Sequence, residues 1–311
     1  MLKTVGGALL FTWSAACLKQ PSSGLPGYAS IHIHHIAKTA ATSAFFNLRQ
    51  IVPPGQHLSL LECCWPYRPI EYGVVRSVVT FVRDPKAHVY SQFNHCKENL
   101  DNWFKPVGFP ATFQDWLQYW VQRGPEAQQH PLGNGFHCYM PHNLQTRALS
   151  CTAESCEWAT CALDTQVLGE SAGSFTLNGT HALDHLKAVS VLGLTEFYQE
   201  SMCLAYVHFR DELPPWCDCE DEKAWDGFPE VSYTHGSKHK PVGQTTFSAE
   251  ELGLIQQLTQ WDQAVYDAAS KRFLAEIADA EQRFGKKILC SGARGTVAAW
   301  REGRALLYAF D

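Results

Sequence analysis

The amino-acid sequence predicts an α/β fold, a three-layer sandwich in which helices cover both faces of a central parallel sheet. Three apolar segments have the length and composition of strands: residues 29–36, 74–82 and 188–194. A helical pattern follows each of them, at residues 42–51, 85–100 and 197–209. Strands and helices that alternate in this way form parallel sheets whose two faces are both buried.

The first strand and the first helix are marked by their periodicity and by their ends. Ile31 and Ile33 alternate with His32 and His34, which is the period of a strand with two different faces. The helix that follows carries apolar residues at helical spacing and is ended by two consecutive prolines, at 53 and 54.

The second strand is a run of β-branched residues, which is typical of a strand buried inside a parallel sheet. Pro85 comes soon after it and suits the first turn of a new helix. Further helices are predicted at residues 113–123, 142–149 and 248–284, and a long irregular stretch at residues 211–247.

Composition limits the class of protein. The chain has 311 residues, of which 45% are hydrophobic and 18% charged, with a formal net charge of -6. These values are ordinary for a globular protein with a large buried core. The acidic balance argues against a nucleic-acid partner. We expect a leader and linker at residues 1–28 and a single domain at residues 29–311.

The cysteines and the N-terminal segment predict an oxidising compartment. None of the twelve cysteines forms a C-x2-C pair with a matching partner pair, so disulfides and buried thiols are favoured over a zinc site. Residues 5–17 are apolar and resemble a secretory signal or a membrane anchor, although a buried first strand or helix is nearly as good an interpretation. Asn178-Gly179-Thr180 is a glycosylation sequon.

A first polar motif joins the first strand to the first helix. It runs from His35 to Ser43 and contains Lys38 and several hydroxyl groups. Backbone N–H groups at a helix start, with a lysine and hydroxyl groups beside them, form a cradle for an anion. The G-x-x-x-x-G-K-[ST] pattern of ATP-binding loops is absent. An ordinary Lys-Thr turn is the alternative interpretation of this segment taken alone.

A second polar motif follows the second strand. Residues 83–85 (R-D-P) end that strand, and three polar side chains share one face of the next helix: His88, Ser91 and His95. Because ligands bind at the carboxyl ends of parallel strands, we expect both motifs to meet at one site.

These segments resemble those of the carbohydrate sulfotransferases that use 3′-phosphoadenosine 5′-phosphosulfate (PAPS), the Golgi 2-O- and 6-O-sulfotransferase group. That family carries H-I-P-K-T-G-G-T-S and R-D-P-x-x-R-x-x-S, where residues 35–43 read H-I-A-K-T-A-A-T-S and residues 83–91 read R-D-P-K-A-H-V-Y-S. Residues 143–149 (N-L-Q-T-R-A-L) and 191–196 (V-L-G-L-T-E) are also similar to the family, and the four segments keep the family's order along residues 29–275.

The resemblance implies a P-loop-like fold, a location in the Golgi lumen, and transfer of a sulfuryl group from PAPS to an acceptor hydroxyl. PAPS is then a co-substrate, the product is 3′-phosphoadenosine 5′-phosphate, and the chemistry does not demand a metal ion. The acceptor is expected to be a glycan or a small hydroxylated molecule.

The resemblance also implies which residues bind the nucleotide. Lys38 is expected to neutralise the charge that grows on the bridging oxygen of the leaving nucleotide, while Arg83 and Ser91 hold the 3′-phosphate. The 5′-phosphate is expected to lie on the loop residues Thr39, Ala40, Ala41, Thr42 and Ser43. Lys238 and Lys240 occur where the family closes a basic loop over the nucleotide, although a solvated basic turn explains them equally well.

Four positions depart from the family pattern. Ala37 replaces a proline, and Ala40 and Ala41 replace glycines, which permit positive φ and a close approach to phosphate. His88 replaces an arginine. We expect a tilted loop or weaker nucleotide binding, and at His88 an ionic contact that is lost or that depends on pH.

A general base must remove the proton of the acceptor. The 6-O-sulfotransferases place their histidine four residues after the serine, and His95 fits that spacing. His142 is the second candidate, because the 2-O-sulfotransferases take a histidine from a comparable region. A histidine that only packs on the helix face is the alternative for His95, and Glu62 or Glu98 could act if neither histidine does.

Two other classes of function stay open. A nucleotide kinase needs a tighter glycine loop and a metal-binding carboxylate, for which the sequence offers no convincing candidates. A non-catalytic nucleotide-binding relative would tolerate the alanines in the loop and the histidine at position 88.

Overall fold

The computed structural model describes residues 30–61, 65, 75–103, 110–124, 139–150, 177–229 and 246–290. Several predictions fall on other parts of the chain. The leader at residues 1–28, Glu62, Lys238 and Lys240 lie outside the described residues, as does the side chain of Glu98.

Four parallel strands form the sheet at the centre of the protein. They are β1 (Ser30–His34), β2 (His57–Leu61), β3 (Val75–Val82) and β4 (Val191–Leu194), and their order across the sheet is β2-β1-β3-β4. Because all four strands are parallel, their carboxyl ends share one edge. The prediction of an α/β protein with a parallel sheet is confirmed.

Nine helices accompany these strands within the described residues. They are α1 (Ala41–Ile51), α2 (Pro85–Trp103), α3 (Phe113–Arg123), α4 (Leu144–Ser150), α5 (Gly179–Ala188), α6 (Tyr198–Arg210), α7 (Glu222–Trp225), α8 (Ala249–Leu258) and α9 (Gln260–Phe284). Single 3-10 turns occur at Thr195–Phe197 and Pro215–Cys217.

The side chains of β3 alternate between two buried faces, as the period of a strand requires. Val79 and Phe81 pack against α1 and part of α6. Val78 and Val82 pack on the other side, in a cluster with α4, α5 and α9. Helices α2, α3 and α8 form a third cluster, rich in aromatic residues. The arrangement of helices on both faces fits the predicted three-layer sandwich.

The structure differs from the prediction in several elements. The edge strand β2 was not predicted, and neither was α5, whose last residue is Ala188, so that β4 starts three residues later than expected. The long helix predicted from Ser248 is two helices, with a break at Thr259. Strand β2 has five residues and β4 has four.

Tertiary capping explains the break between α8 and α9. The side-chain oxygen of Asn143 accepts hydrogen bonds from the backbone N–H groups of Trp261 and Asp262, in the first turn of α9. In return, the Asp262 carboxylate accepts the N–H groups of Gln145 and Thr146, in the first turn of α4. The starts of α4 and α9 therefore satisfy each other across more than a hundred residues.

Two disulfides connect the described residues. Cys203 of α6 is bonded to Cys217, and Cys219 to Cys290, which closes a loop of 71 residues. Cys96 is also disulfide-bonded. These bonds are consistent with an oxidising compartment. No helix among the described residues has both the length and the apolar character that crossing a bilayer requires.

Two histidines are buried on β1, on the face opposite Ile31 and Ile33. His32 is 1% exposed, with Nδ1 3.1 Å from the Ser59 hydroxyl, and His34 is fully buried against the ring of Trp65. Burial disfavours the charged imidazole and lowers the pKa of His32 to about 4 and that of His34 to about 3.

We expect the free energy of unfolding to fall as the pH falls from 6.5 towards 4. An imidazole whose pKa is lower in the folded protein binds protons preferentially in the unfolded chain, so its stabilising contribution is present above pH 6.5 and lost below. For His32 the loss is about 3 kcal/mol over this window.

Urea unfolding of wild type and His32→Gln at pH 7.5 and pH 4.5 measures this loss. His32→Gln should reduce the pH dependence, whereas His57→Gln, at an exposed histidine of β2, should leave it unchanged. Equal pH dependence in wild type and His32→Gln would contradict the prediction.

Candidate active site

Three strand ends meet at the carboxyl edge of the sheet. Strand β1 continues into the loop at residues 35–40, β3 continues into Arg83 and Asp84, and β4 into Thr195 and Glu196. The two polar motifs of the sequence and the segment after β4 therefore lie side by side at this edge, because β1, β3 and β4 are neighbours in the sheet.

The loop after β1 is held by its backbone carbonyl groups. Three consecutive carbonyls each accept a hydrogen bond from a side chain of another element. The Ala37 oxygen accepts from His88 Nε2 at 2.7 Å, the Lys38 oxygen from Arg83 Nη1 at 3.1 Å, and the Thr39 oxygen from the Thr195 hydroxyl at 3.0 Å. The path of the loop is thus determined by residues that follow β3 and β4.

The backbone of this loop has an unusual conformation. Lys38 and Ala40 adopt left-handed conformations, with φ of 65° and 64°, and Thr39 between them does not. Alternation of this kind occurs in anion-binding turns, and the Thr39 N–H of this loop donates to the Ile36 carbonyl at 3.4 Å. Helix α1 then begins at Ala41, and Ala40 brings no side-chain acceptor to its first turn. The positive end of the α1 dipole lies beside the same loop.

The hydroxyl groups of the motif differ in their surroundings. Thr39 is fully buried and donates its hydroxyl proton to the Ile36 oxygen at 2.8 Å, so this side chain is used inside the loop. Thr42 and Ser43 are half-buried in the first turn of α1. Their predicted role towards a 5′-phosphate is compatible with that position and stays a prediction.

Lys38 and His95 contact each other although 57 residues separate them in the chain. Their Nζ and Nδ1 atoms are 3.2 Å apart. Because an ammonium group only donates hydrogen bonds, Nδ1 is the acceptor and the proton of the neutral ring is on Nε2. The His95 ring also lies 5.3 Å from that of Tyr139. The lysine and the histidine selected from the sequence therefore belong to one site.

Gln145 holds the backbone of Arg83 in place. The side-chain amide of Gln145 accepts the Arg83 N–H and donates to the Arg83 carbonyl, both at 2.8 Å. The guanidinium lies 3.9 Å from Glu196 and its side chain is 18% exposed. Burial lowers the pKa of Arg83, an effect that the charges of Glu196 and Asp84 oppose.

Glu196 binds the backbone that follows β3, a role that was not predicted from the sequence. Its Oε1 accepts the Asp84 N–H at 3.0 Å, and its Oε2 lies 3.3 Å from the Tyr266 hydroxyl. Burial, followed by the nearby Asp84 charge, raises the pKa of Glu196 to about 7. Gln145 and Glu196 both occur in segments noted for their resemblance to the sulfotransferases, which was the only signal that pointed to them. Both side chains bind the backbone at the end of β3.

His88 has a structural role. Its Nε2 donates to the Ala37 carbonyl, so its Nδ1 is the acceptor for the Gln92 amide at 3.2 Å. Burial lowers the pKa of His88 to about 3. The ring is therefore neutral at physiological pH, and it stabilises the loop by a hydrogen bond. The pH-dependent ionic contact considered for this position is not part of the site.

The second candidate base is also engaged with the backbone. His142 is 6% exposed, and its Nε2 donates to the Trp120 carbonyl at 2.8 Å. Burial lowers the pKa of His142 to about 4. Its catalytic role stays a prediction, as does that of Ser91, which is half-buried on α2 between His88 and His95.

The chain matches no protein-family model and no curated protein. The assignment of a function therefore rests on the motifs and on the arrangement of their residues in the structure.

Substitution of Ala40 and of Ala41 by glycine should change the free energy of unfolding in opposite directions. Ala40→Gly should raise the free energy of unfolding by about 1 kcal/mol, because it relieves a left-handed alanine. Ala41→Gly should lower it by about 1 kcal/mol or more, since Ala41 is buried and helical. Urea denaturation of the two variants checks both signs. A loss of stability in Ala40→Gly comparable to that in Ala41→Gly would show that position 40 is not left-handed.

Proposed function

We propose that the protein is a sulfotransferase of P-loop-like fold that moves a sulfuryl group from PAPS to a carbohydrate hydroxyl. The observation that carries this proposal is the contact between Lys38 and His95 at the carboxyl edge of the sheet. It brings a cation from the anion-binding loop within one hydrogen bond of an imidazole from the helix after β3. Sulfuryl transfer needs a cation at the bridging oxygen and a base at the acceptor hydroxyl, so both groups must belong to one site.

The transfer step requires each group in a defined role. The acceptor oxygen attacks sulfur, the bond from sulfur to the bridging oxygen of the 5′-phosphate breaks, and its electron pair stays on the phosphate. Lys38 neutralises that charge, and the backbone N–H groups of the loop bind the phosphate. His95 takes the proton of the acceptor hydroxyl.

The hydrogen bond between the two residues suggests an order for these events. While Lys38 donates to Nδ1, the basic lone pair of the His95 ring is occupied. The negative phosphosulfate group attracts the ammonium towards the bridging oxygen and releases Nδ1. His95 then becomes a base only after the donor has bound, which limits proton removal to the complex that can transfer sulfate.

Arg83 serves the nucleotide site in two ways under this proposal. Nη1 holds the Lys38 carbonyl and Nε faces Glu196, and the donors that remain would bind the 3′-phosphate together with Ser91. The disulfides are consistent with a secretory location, and we place the enzyme in the Golgi lumen on the basis of its resemblance to the carbohydrate sulfotransferases.

Nucleotide binding and sulfate transfer test the proposal directly. In a thermal-shift assay, 3′-phosphoadenosine 5′-phosphate should stabilise the protein at lower concentration than AMP or ATP. Radiolabelled PAPS should then transfer sulfate to at least one member of a panel of glycans and small hydroxylated molecules. Preference for ATP would contradict a PAPS site, and selective binding without transfer to any acceptor would indicate a non-catalytic relative.

The base should be identified by the effect of substitutions on turnover. His95→Ala should lower turnover by ~10²–10⁴ with little change in nucleotide affinity, because a general base acts in the transition state. Lys38→Ala should also cause a large loss of turnover with only a small change in the free energy of unfolding. Steady-state kinetics and calorimetry measure the two effects, with Lys97→Ala, at an exposed lysine of α2, as the control. A larger loss of turnover in His142→Ala than in His95→Ala would move the base to the later segment.

Arg83→Ala should reduce the preference for a 3′-phosphate as well as overall affinity. A charge-assisted hydrogen bond contributes ~1.5–3 kcal/mol, so the ratio of affinities for 3′-phosphoadenosine 5′-phosphate and AMP should fall by about 10- to 100-fold.

Thr195→Val is the matched control for Arg83→Ala, because it removes another anchor of the loop without changing charge. It should weaken both nucleotides equally and leave the ratio unchanged. If Arg83→Ala also leaves the ratio unchanged, Arg83 is only a loop anchor.

A further inference from the structure

The glycosylation sequon lies at the start of helix α5. Asn178 is the N-cap residue, and its Oδ1 accepts the backbone N–H of His181 at 3.0 Å. The cap uses the oxygen of the amide, and Nδ2 makes no hydrogen bond to another residue within the described parts of the chain. Asn178 is half-buried and Thr180 is exposed. The acceptor nitrogen can therefore carry a substituent while the cap is kept.

Gly179, the middle residue of the sequon, packs against the exposed indole ring of Trp261. A Cβ atom on Gly179 would lie 2.0 Å from Cε3 of Trp261, so the ring rests directly on the glycine backbone and any other residue would displace it. The backbone N–H of Trp261 donates to the Asn143 side chain, which places the indole at the start of α9. Trp261 nevertheless remains 43% exposed, the most exposed large apolar side chain among the described residues.

We propose that Asn178 carries an N-linked glycan and that the first sugar of this glycan packs on the indole of Trp261. The C–H face of a pyranose is apolar and packs well on an aromatic ring, which removes exposed apolar surface from water. Asn178 adjoins the glycine on which the ring rests, so a sugar on Nδ2 starts one residue from the indole. The sequon is the only Asn-x-Ser/Thr triplet in the chain, so a single glycan is expected.

The attachment step is a transfer from a lipid-linked oligosaccharide pyrophosphate. The amide nitrogen forms a bond to the anomeric carbon and loses one proton. The bond from that carbon to the pyrophosphate oxygen breaks, and the lipid pyrophosphate leaves with the electron pair. Oδ1 takes no part, so the hydrogen bond to His181 survives modification. This proposal requires passage through the secretory pathway and is independent of sulfotransferase activity.

Secretion of the full chain from eukaryotic cells, followed by mass spectrometry, tests the modification. The peptide that contains Asn178 should carry a glycan mass, and peptide-N-glycosidase should remove it and convert Asn178 to aspartate. Asn178→Asp preserves an N-cap acceptor and lacks the acceptor amide, so this variant should be secreted as a folded protein without the glycan. An unmodified Asn178 peptide from secreted, disulfide-bonded wild type would overturn the proposal.

The contact with the indole is tested by comparing melting temperatures before and after enzymatic removal of the glycan. Removal should lower Tm by about 2–4 °C in wild type, the shift expected of a contact of ordinary size in a domain of this length. In Trp261→Ala the same treatment should change Tm by less than half as much. Leu252→Ala, at an exposed apolar residue of α8, is the matched control and should keep the wild-type shift. An undiminished shift in Trp261→Ala would overturn the stacking.

Discussion

The candidate site depends on one constraint, the anchoring of the loop after β1 by three consecutive backbone carbonyls. This loop contains two left-handed residues that are not glycine, Lys38 and Ala40, and such conformations persist only where the surrounding structure imposes them. The donors come from α2, from the end of β3 and from the segment after β4. These donors therefore fix the loop conformation in which the Lys38 side chain contacts His95.

Burial separates the two histidines of this region that bind the backbone from His95. His88 and His142 each donate to a backbone carbonyl, and burial keeps both rings neutral at physiological pH. His95 is half-buried and contacts a lysine ammonium. Of these three rings, His95 is the one that contacts a side-chain ammonium group instead of donating to a backbone carbonyl. A backbone carbonyl accepts a hydrogen bond from the ring, whereas the lysine ammonium donates one to it.

Most of the fold was predictable because its strands and helices have strong periodic signals. The boundaries of α3 were predicted at the observed residues, and those of α1 and β3 within one residue. Local patterns failed for β2 and for the break at Thr259. The edge strand β2 is defined by its pairing with β1, and the break depends on capping by Asn143, which is distant in sequence. Gln145 and Glu196 were likewise not predicted as supports, since their partners are backbone atoms of Arg83 and Asp84, in a distant segment of the chain.

The sequence by itself determined the chemical groups of the site: a lysine loop before α1, an arginine after β3, and histidines on the following helix. It also determined their common edge, because parallel strands place their carboxyl ends together. Only the tertiary structure decided that Lys38 contacts His95, that His88 acts on the loop backbone, and that Thr39 is turned inward. These choices depend on hydrogen bonds between residues far apart in the chain, which no local pattern encodes.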